Sequence, residues 1–354
     1  MEETTNQLDE LCRYMVEQGA ADLFLDETSD VTLRVFGELA TLEGVRLEGA
    51  EMDRLWEVCG IQPSVSDADG TYVSGDGHRF RVNFLRFLGR RRAILRHVKS
   101  TIPDLIGLGL PEELLQGWMA RKGGLVLVCG PTASGKSTTI AACLNWVNQT
   151  LSRHIVTIED PVEYLFQRGQ SFFSQREVGI DTESFAMGLR QALRQSPDVI
   201  FVGEIRDQES AVTALRAAEV GHTVVTTLHS SSCPEALERL VRLFPERERD
   251  GISVILANQL TGVLCQRLLP ATDGAMVLVA EHFQNQGLSR RLILEGKWTE
   301  LADFIERGED DANCSMLARL AELCEAGRLT LETASKVLPN PQDLKRALHG
   351  ISSV

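Results

Sequence analysis

Several things are scarce in this sequence. Aromatic residues make up 6% of its 354 positions, with three tyrosines and four tryptophans, too few for the interleaved stacking platform of a single-strand nucleic-acid binder. No run approaches the ~20 apolar residues of a membrane span. The longest apolar stretch, 252–265, is broken by Asn258, Gln259 and Thr261. The eight cysteines include no CxxC pair, so zinc-ligand spacing is missing and the thiols suit a reducing compartment. Basic side chains are outnumbered, 36 against 50, for a net charge of −14. That balance argues against duplex DNA or an anionic membrane as the main partner. The opening residues 1–10 are acidic and polar and carry no secretory-signal pattern. The expectation is a soluble cytoplasmic protein with no nucleic-acid partner and no membrane insertion.

What is present centres on Gly130-Pro131-Thr132-Ala133-Ser134-Gly135-Lys136-Ser137-Thr138. An apolar run, 124–129, precedes it, and 139–149 reads as a helix. Strand, glycine loop ending in Lys-Ser, then helix is the context of a phosphate-binding loop. Gly130 and Gly135 let the backbone curl so that its N–H groups converge on a polyphosphate. The first helical turn adds unpaired N–H groups and a positive dipole end. Lys136 is placed to reach the β- and γ-phosphates and the Ser137 hydroxyl to ligate Mg²⁺. This is a nucleotide site.

The regions before and after it differ in pattern. Residues 5–18 and 51–59 have helical spacing, while 22–26, 31–36, 70–74 and 79–87 read as strands, with turns at Gly37-Glu38 and Gly75-Asp76-Gly77. The first hundred residues thus form a small α/β domain whose end is rich in arginine: Arg79, Arg81, Arg86, Arg90, Arg91, Arg92 and Arg96, with Lys99. Most of these fit a solvated face with ion pairs, though Arg79 and Arg81 share one face of a strand. The proline- and glycine-rich stretch 100–111 reads as a linker. Beyond it, strands at 125–129, 154–158, 198–202, 223–228 and 276–279 alternate with helices that include 182–195 and 208–220. The pattern predicts a mainly parallel sheet covered on both faces. After residue 287 five helices follow, at 288–294, 299–306, 315–326, 331–337 and 341–348.

Three strand ends carry further chemistry. Glu159-Asp160-Pro161-Val162-Glu163 places three carboxylates where open α/β sheets bind ligands. The strand 198–202 leads into Gly203-Glu204; the place usually held by an Asp is a glycine, so Glu204 takes the metal and water-positioning role alone or with Glu163. His222 and His229 flank the strand 223–228. His229, at its carboxyl end, is the candidate phosphate sensor, and His222 is an interface or structural residue.

Together these segments resemble the type II secretion and type IV pilus ATPase superfamily. The phosphate loop, Ile158-Glu159-Asp160-Pro161-Val162-Glu163, Val202-Gly203-Glu204-Ile205-Arg206-Asp207, and the run from Gly221-His222 to Leu228-His229 match its hallmark boxes in order. The absent paired-CxxC zinc insertion, the short chain, Leu292 to Lys297 and Pro341 to Arg346 point to the pilus retraction branch.

The resemblance implies an α/β chain with a small PAS-like N-terminal domain (1–99), a linker (100–112), a RecA-like ATPase core (113–287) and a helical C-terminal region (288–354). It implies an ATP- and Mg²⁺-dependent homohexameric motor in which Arg81 and Arg96 approach the phosphates as the N-terminal domain rotates. Its expected partners are an inner-membrane pilus platform protein and a paralogous pilus ATPase, at the cytoplasmic base of the machine. An assembly or secretion ATPase, or an accessory ring with low turnover, are the alternatives. Ala133 stands where the family prefers glycine.

Overall fold

Two kinds of alternation build two units. The computed structural model describes residues 6–35, 38–62, 64–98, 101–308 and 312–348; Gly37 of the expected turn, Lys99 and Ser100 lie outside them. One unit comprises residues up to 101 together with 163–165, and the other 102–162 and 166 onward.

The first unit contains α1 (Gln7–Glu17), β1 (Asp22–Asp26), β2 (Thr32–Val35), β3 (Glu38–Thr41), α2 (Gly49–Val58), β4 (Asp67–Val73), β5 (Arg79–Phe87) and β6 (Arg90–Val98). The Asn6 side chain starts α1 by accepting from Asp9 N at 2.7 Å. Its helical spacing places Leu8, Leu11, Cys12 and Met15 on one buried face. The six strands pair antiparallel in the order β3-β2-β1-β6-β5-β4. Their inward positions, Leu23, Leu25, Leu33, Phe80, Val82, Phe84, Ala93 and Leu95, meet the apolar faces of both helices. Period-2 alternation sends Asp22, Asp26, Arg34, Arg81, Arg92 and Arg96 to the opposite face. Strand β6 was hidden in the arginine-rich run, where only Ala93 and Leu95 betray the buried phase.

The second unit contains α3 (Glu112–Ala120), β7 (Gly124–Cys129), α4 (Lys136–Thr150), β8 (His154–Glu159), β9 (Phe172–Glu177), α5 (Phe185–Ala192), β10 (Val199–Val202), α6 (Gln208–Glu219), β11 (Thr223–Leu228), α7 (Cys233–Arg242), α8 (Glu246–Gln259), β12 (Leu260–Pro270), β13 (Met276–Gln284), α9 (Leu288–Leu294), α10 (Trp298–Arg307), β14 (Asn313–Cys314), α11 (Met316–Glu325), α12 (Leu331–Ser335) and α13 (Pro341–Leu348). Its sheet runs β14-β13-β12-β7-β11-β10-β8-β9. Neighbours from β12 to β9 are parallel, and β13 and β14 join antiparallel. The central strand β7 is buried at every residue, as a strand covered on both faces must be.

Several elements depart from the sequence reading. The helix expected over 182–195 is confined to Phe185–Ala192, capped by Ser184. The apolar stretch 252–265 divides between α8 and β12. Within the expected linker, Leu105 and Leu110 are buried in the core of the second unit. Among the described residues no helix is long and apolar enough to cross a membrane.

Candidate nucleotide site

The parallel strands lay their carboxyl ends side by side, and the chemistry-bearing residues follow them. Reading along that edge, β7 delivers the loop 130–138, β11 delivers His229, β10 delivers Glu204 and β8 ends in Glu159. Open α/β sheets bind ligands there because the loops and helix N-termini converge at that edge.

The loop geometry depends on glycine at two positions. Gly130 has φ of +145°, and a Cβ there would overlap the Gln266 carbonyl oxygen and Ser134 Oγ. Gly135 has φ of +86° and is the N-cap of α4, so no side chain caps this 15-residue helix. Its first N–H groups are left for an anion. Ala133 also sits in the left-handed region, at φ of +61°, a conformation that costs a non-glycine residue about 1 kcal/mol. Lys136 Nζ donates to the carbonyls of Gly130 at 2.9 Å and Pro131 at 2.8 Å. The ammonium therefore hangs over the hollow of the loop. Ser134 Oγ is buried without a hydrogen-bond partner. An uncapped helix start, a cation and an orphaned hydroxyl are together a fit for phosphate oxygens.

Gln266, to which the sequence reading gave no role, underpins this loop. It is fully buried on β12, and its Nε2 donates to Ser134 O at 2.7 Å. The stretch Cys265 to Leu269 matches the family, but the role of Gln266 follows from β12 pairing with β7, where Cys265 lies opposite Cys129.

Glu204 and His229 come together as neighbouring strand ends. His229 Nε2 lies 3.4 Å from Glu204 Oε1, and Arg206 Nε donates to Glu204 Oε2 at 2.8 Å. Arg239 of α7 donates to His229 O at 2.6 Å and anchors that segment. The glycine preceding Glu204 has a steric reason. A Cβ on Gly203 would lie 3.2 Å from Phe185 Cε1 and 3.3 Å from Ile158 O, so a larger residue would need the packing to yield. His222 is at the other end of β11, with Nδ1 2.8 Å from Pro197 O.

The carboxylates of the β8 end separate. Glu159 is buried, and its Oε1 accepts from Thr157 Oγ1 at 2.7 Å and from Gln175 Nε2 at 3.3 Å. Asp160 and Glu163 are exposed, and Glu163 belongs to the segment grouped with the N-terminal unit. Glu159 is therefore the β8 carboxylate held beside β10. Its signal was strand phase, which puts Thr157 and Glu159 on one face.

Arg81 and Arg96 lie directly opposite each other on β5 and β6. Asp22 faces Arg96 from β1, accepting its Nε at 2.7 Å, and accepts Arg34 Nε at 3.2 Å. The bond to Asp22 holds the Arg96 guanidinium above its ordinary pKa, with Glu163 adding to the effect.

Among the described residues no group of three or more His, Cys, Asp or Glu side chains converges as a metal cage. This donor set fits Mg²⁺ carried mainly by phosphate oxygens and completed by Ser137 and a carboxylate, the usual habit of that ion.

Residues 71–297 match the family model described as type II/IV secretion system protein. The type IV pilus ATPase PilU of Pseudomonas aeruginosa is 32% identical over 348 residues, covering 96% of this chain and 90% of the relative. The pilus retraction ATPase PilT of the same organism is 33% identical, covering 94% of this chain and 98% of the relative. A crystal structure of the pilus retraction motor PilT with bound ADP superposes with a TM-score of 0.88 at 38% identity, covering 96% of this chain and 99% of that one. A phosphate cradle beside an acid and a histidine on a RecA-like sheet, with relatives matched along nearly their whole length, leads to one assignment: the chain belongs to the type II/IV secretion system protein family and is similar within it to the pilus retraction ATPases.

Proposed function

We propose that the protein is a homohexameric, ATP-hydrolysing motor that drives type IV pilus retraction. The observation that carries the reading is the phosphate cradle of Gly130–Thr138 beside Glu204 and His229. Similarity to PilT and PilU supports the pilus assignment. The loop N–H groups and Lys136 hold the β- and γ-phosphates. Ser137 and Glu204 hold Mg²⁺, which offsets phosphate charge when bound. Glu204 orients a water and accepts its proton as the water oxygen bonds to the γ-phosphorus. The bond from that phosphorus to the β,γ-bridging oxygen breaks, giving ADP and phosphate. His229 reports the γ-phosphate, and Glu163 assists.

In this reading Arg81 and Arg96 approach the phosphates as the N-terminal domain (1–99) rotates about the linker (100–112) against the core (113–287). Such arginines contribute on the order of 10³–10⁵ in rate when they act at the transition state. The ring works at the cytoplasmic base of the pilus, on an inner-membrane platform protein and alongside a paralogous ATPase.

A Glu204→Gln variant tests the assignment, because the amide keeps the size but cannot take a proton. Nucleotide affinity should stay within about twofold while turnover falls by at least about 100-fold. Wild-type turnover would remove Glu204 from the chemistry. An accessory ring is distinguished by a wild-type turnover no greater than that of Lys136→Ala.

A further inference from the structure

For the fold alone, an amide is an unfavourable choice at position 266. Gln266 is fully buried on β12, and its Oε1 has no hydrogen-bond partner among the described residues. A buried orphaned acceptor carries the full penalty of lost hydration, which an apolar side chain of similar shape would avoid. The neighbours are apolar: Ala280 lies opposite on β13, and Leu264, two residues earlier on the same face of β12, belongs to the core.

What the amide gains is one bond, and that bond goes to the phosphate loop. Nε2 donates to Ser134 O at 2.7 Å, across 132 residues of sequence. Turning the amide over would set Oε1 against that carbonyl, acceptor against acceptor, so the bond fixes which end is nitrogen. The same residue meets both glycines of the loop. Its main-chain oxygen is the atom that a Cβ on Gly130 would strike, and its Nε2 lies 3.2 Å from the place a Cβ on Gly135 would take. Leu278 also abuts Gly135, with Cδ1 3.8 Å from that place, and is itself buried. A hydrogen bond so shielded from water is stronger than one at the surface.

The direction of one peptide follows. Among the described residues only Asp160–Pro161 is cis, so the Ser134–Gly135 peptide is trans and its C=O and N–H point in opposite directions. With the carbonyl held toward Gln266, the Gly135 N–H points away from it. Glycine adopts φ of either sign, so nothing in Gly135 itself stops this peptide from turning over. Gly135 is also the N-cap of α4, the end with no side-chain cap, where an anion is favoured.

From this geometry we infer that Gln266 is a positioning residue for nucleotide binding: its amide holds the Ser134–Gly135 peptide in the orientation that turns the Gly135 N–H toward the phosphates. The inference rests on the nucleotide reading of 130–138 and adds to it the group that keeps a loop donor aimed before any ligand arrives. The unpartnered Oε1 is what the fold gives up for that aim.

Gln266→Met removes both the donor and the orphaned acceptor and keeps a side chain of similar length. The full chain and the variant are compared in two measurements, ADP affinity by titration calorimetry and melting temperature without ligand. The dissociation constant for ADP should rise about tenfold, the scale of one hydrogen bond. The melting temperature should stay the same or rise, because a buried orphan is gone. A residue that only fills space would leave ADP affinity within about twofold of wild type, and that result would overturn the inference. So would a fall of both quantities together, since lost affinity would then follow from lost structure. Gln266→Leu, equally unable to donate, should repeat the pattern of Gln266→Met. If both variants lose the circular dichroism of the folded chain, the amide serves the fold and the inference fails. Absence of ADP binding by wild type would sink the inference and the proposed function together; equal binding by wild type and Gln266→Met would sink the inference alone.

Discussion

The phosphate loop and the arginine face of the N-terminal sheet both gather positive charge, but by opposite means. The loop does so with backbone: glycines at positive φ, an uncapped helix start and one lysine resting on carbonyl oxygens. The arginine face does so with side chains held in ion pairs: Arg96 and Arg34 on Asp22, and Arg92 on Asp26. Backbone N–H groups in a fixed loop need no partner to stay in place, so they are ready for an anion. Arginines directly opposite one another repel, and the aspartate beside them sets where they stand. Placement is steric in one region and electrostatic in the other, so the two should fail differently.

Breaking the loop sterically is expected to have the largest effect. Gly130→Ala puts a methyl group into the Gln266 carbonyl and Ser134 Oγ, and a displacement of about an ångström in such a site costs 100-fold or more in turnover. Steady-state ATPase measurements should show that loss, and a loss below about tenfold would mean the loop can reshape itself.

The second unit also treats a buried charge differently from the N-terminal sheet: it neutralises it. Burial, and then the nearby Arg319, lower the pKa of His282 from 6.5 to about 4. Between those values the unfolded chain binds a proton that the folded chain refuses. Stability should therefore be full above pH 6.5, fall as pH drops below it, and be down by roughly 3 kcal/mol near pH 4. His282→Asn should remove this part of the acid sensitivity, measured by urea unfolding at about pH 4.5 and pH 7. An unchanged pH slope in the variant would refute it.

Asp22→Ala tests the electrostatic side. It strands Arg34 and Arg96 next to Arg81, and the unfolding free energy should fall by about 2 kcal/mol. A cost below about 0.5 kcal/mol would mean that the arginines find their places without it. The smallest effect is expected at Ala133, held at φ of +61°. Ala133→Gly should relieve about 1 kcal/mol of strain and give back part of that gain in chain entropy, a net change under about 1 kcal/mol in thermal unfolding. A clear destabilisation would show that the methyl group packs usefully.

Legibility in the sequence followed the same division. Elements whose geometry demands a particular residue could be read directly: the loop from Gly130 to Thr138, the all-apolar β7, and the acid ending β10. Elements placed by pairing could not. Leu260 begins β12 straight after α8, and the nearest glycine, Gly262, lies inside the strand rather than at the change, so 252–265 read as one apolar stretch interrupted by Asn258, Gln259 and Thr261. Gln266 acquires its role only when β12 lies beside β7. At the end of β8 the composition marked three carboxylates alike, and strand phase with burial singled out Glu159.

The central claim is that the loop around Lys136 holds the phosphates of a nucleotide. Equilibrium titration of a fluorescent ATP analogue against wild type and Lys136→Ala tests it most directly. Micromolar-range binding by wild type, weakened more than about 100-fold in a variant that keeps its circular dichroism, is the predicted result. Equal affinities in the two proteins would contradict it.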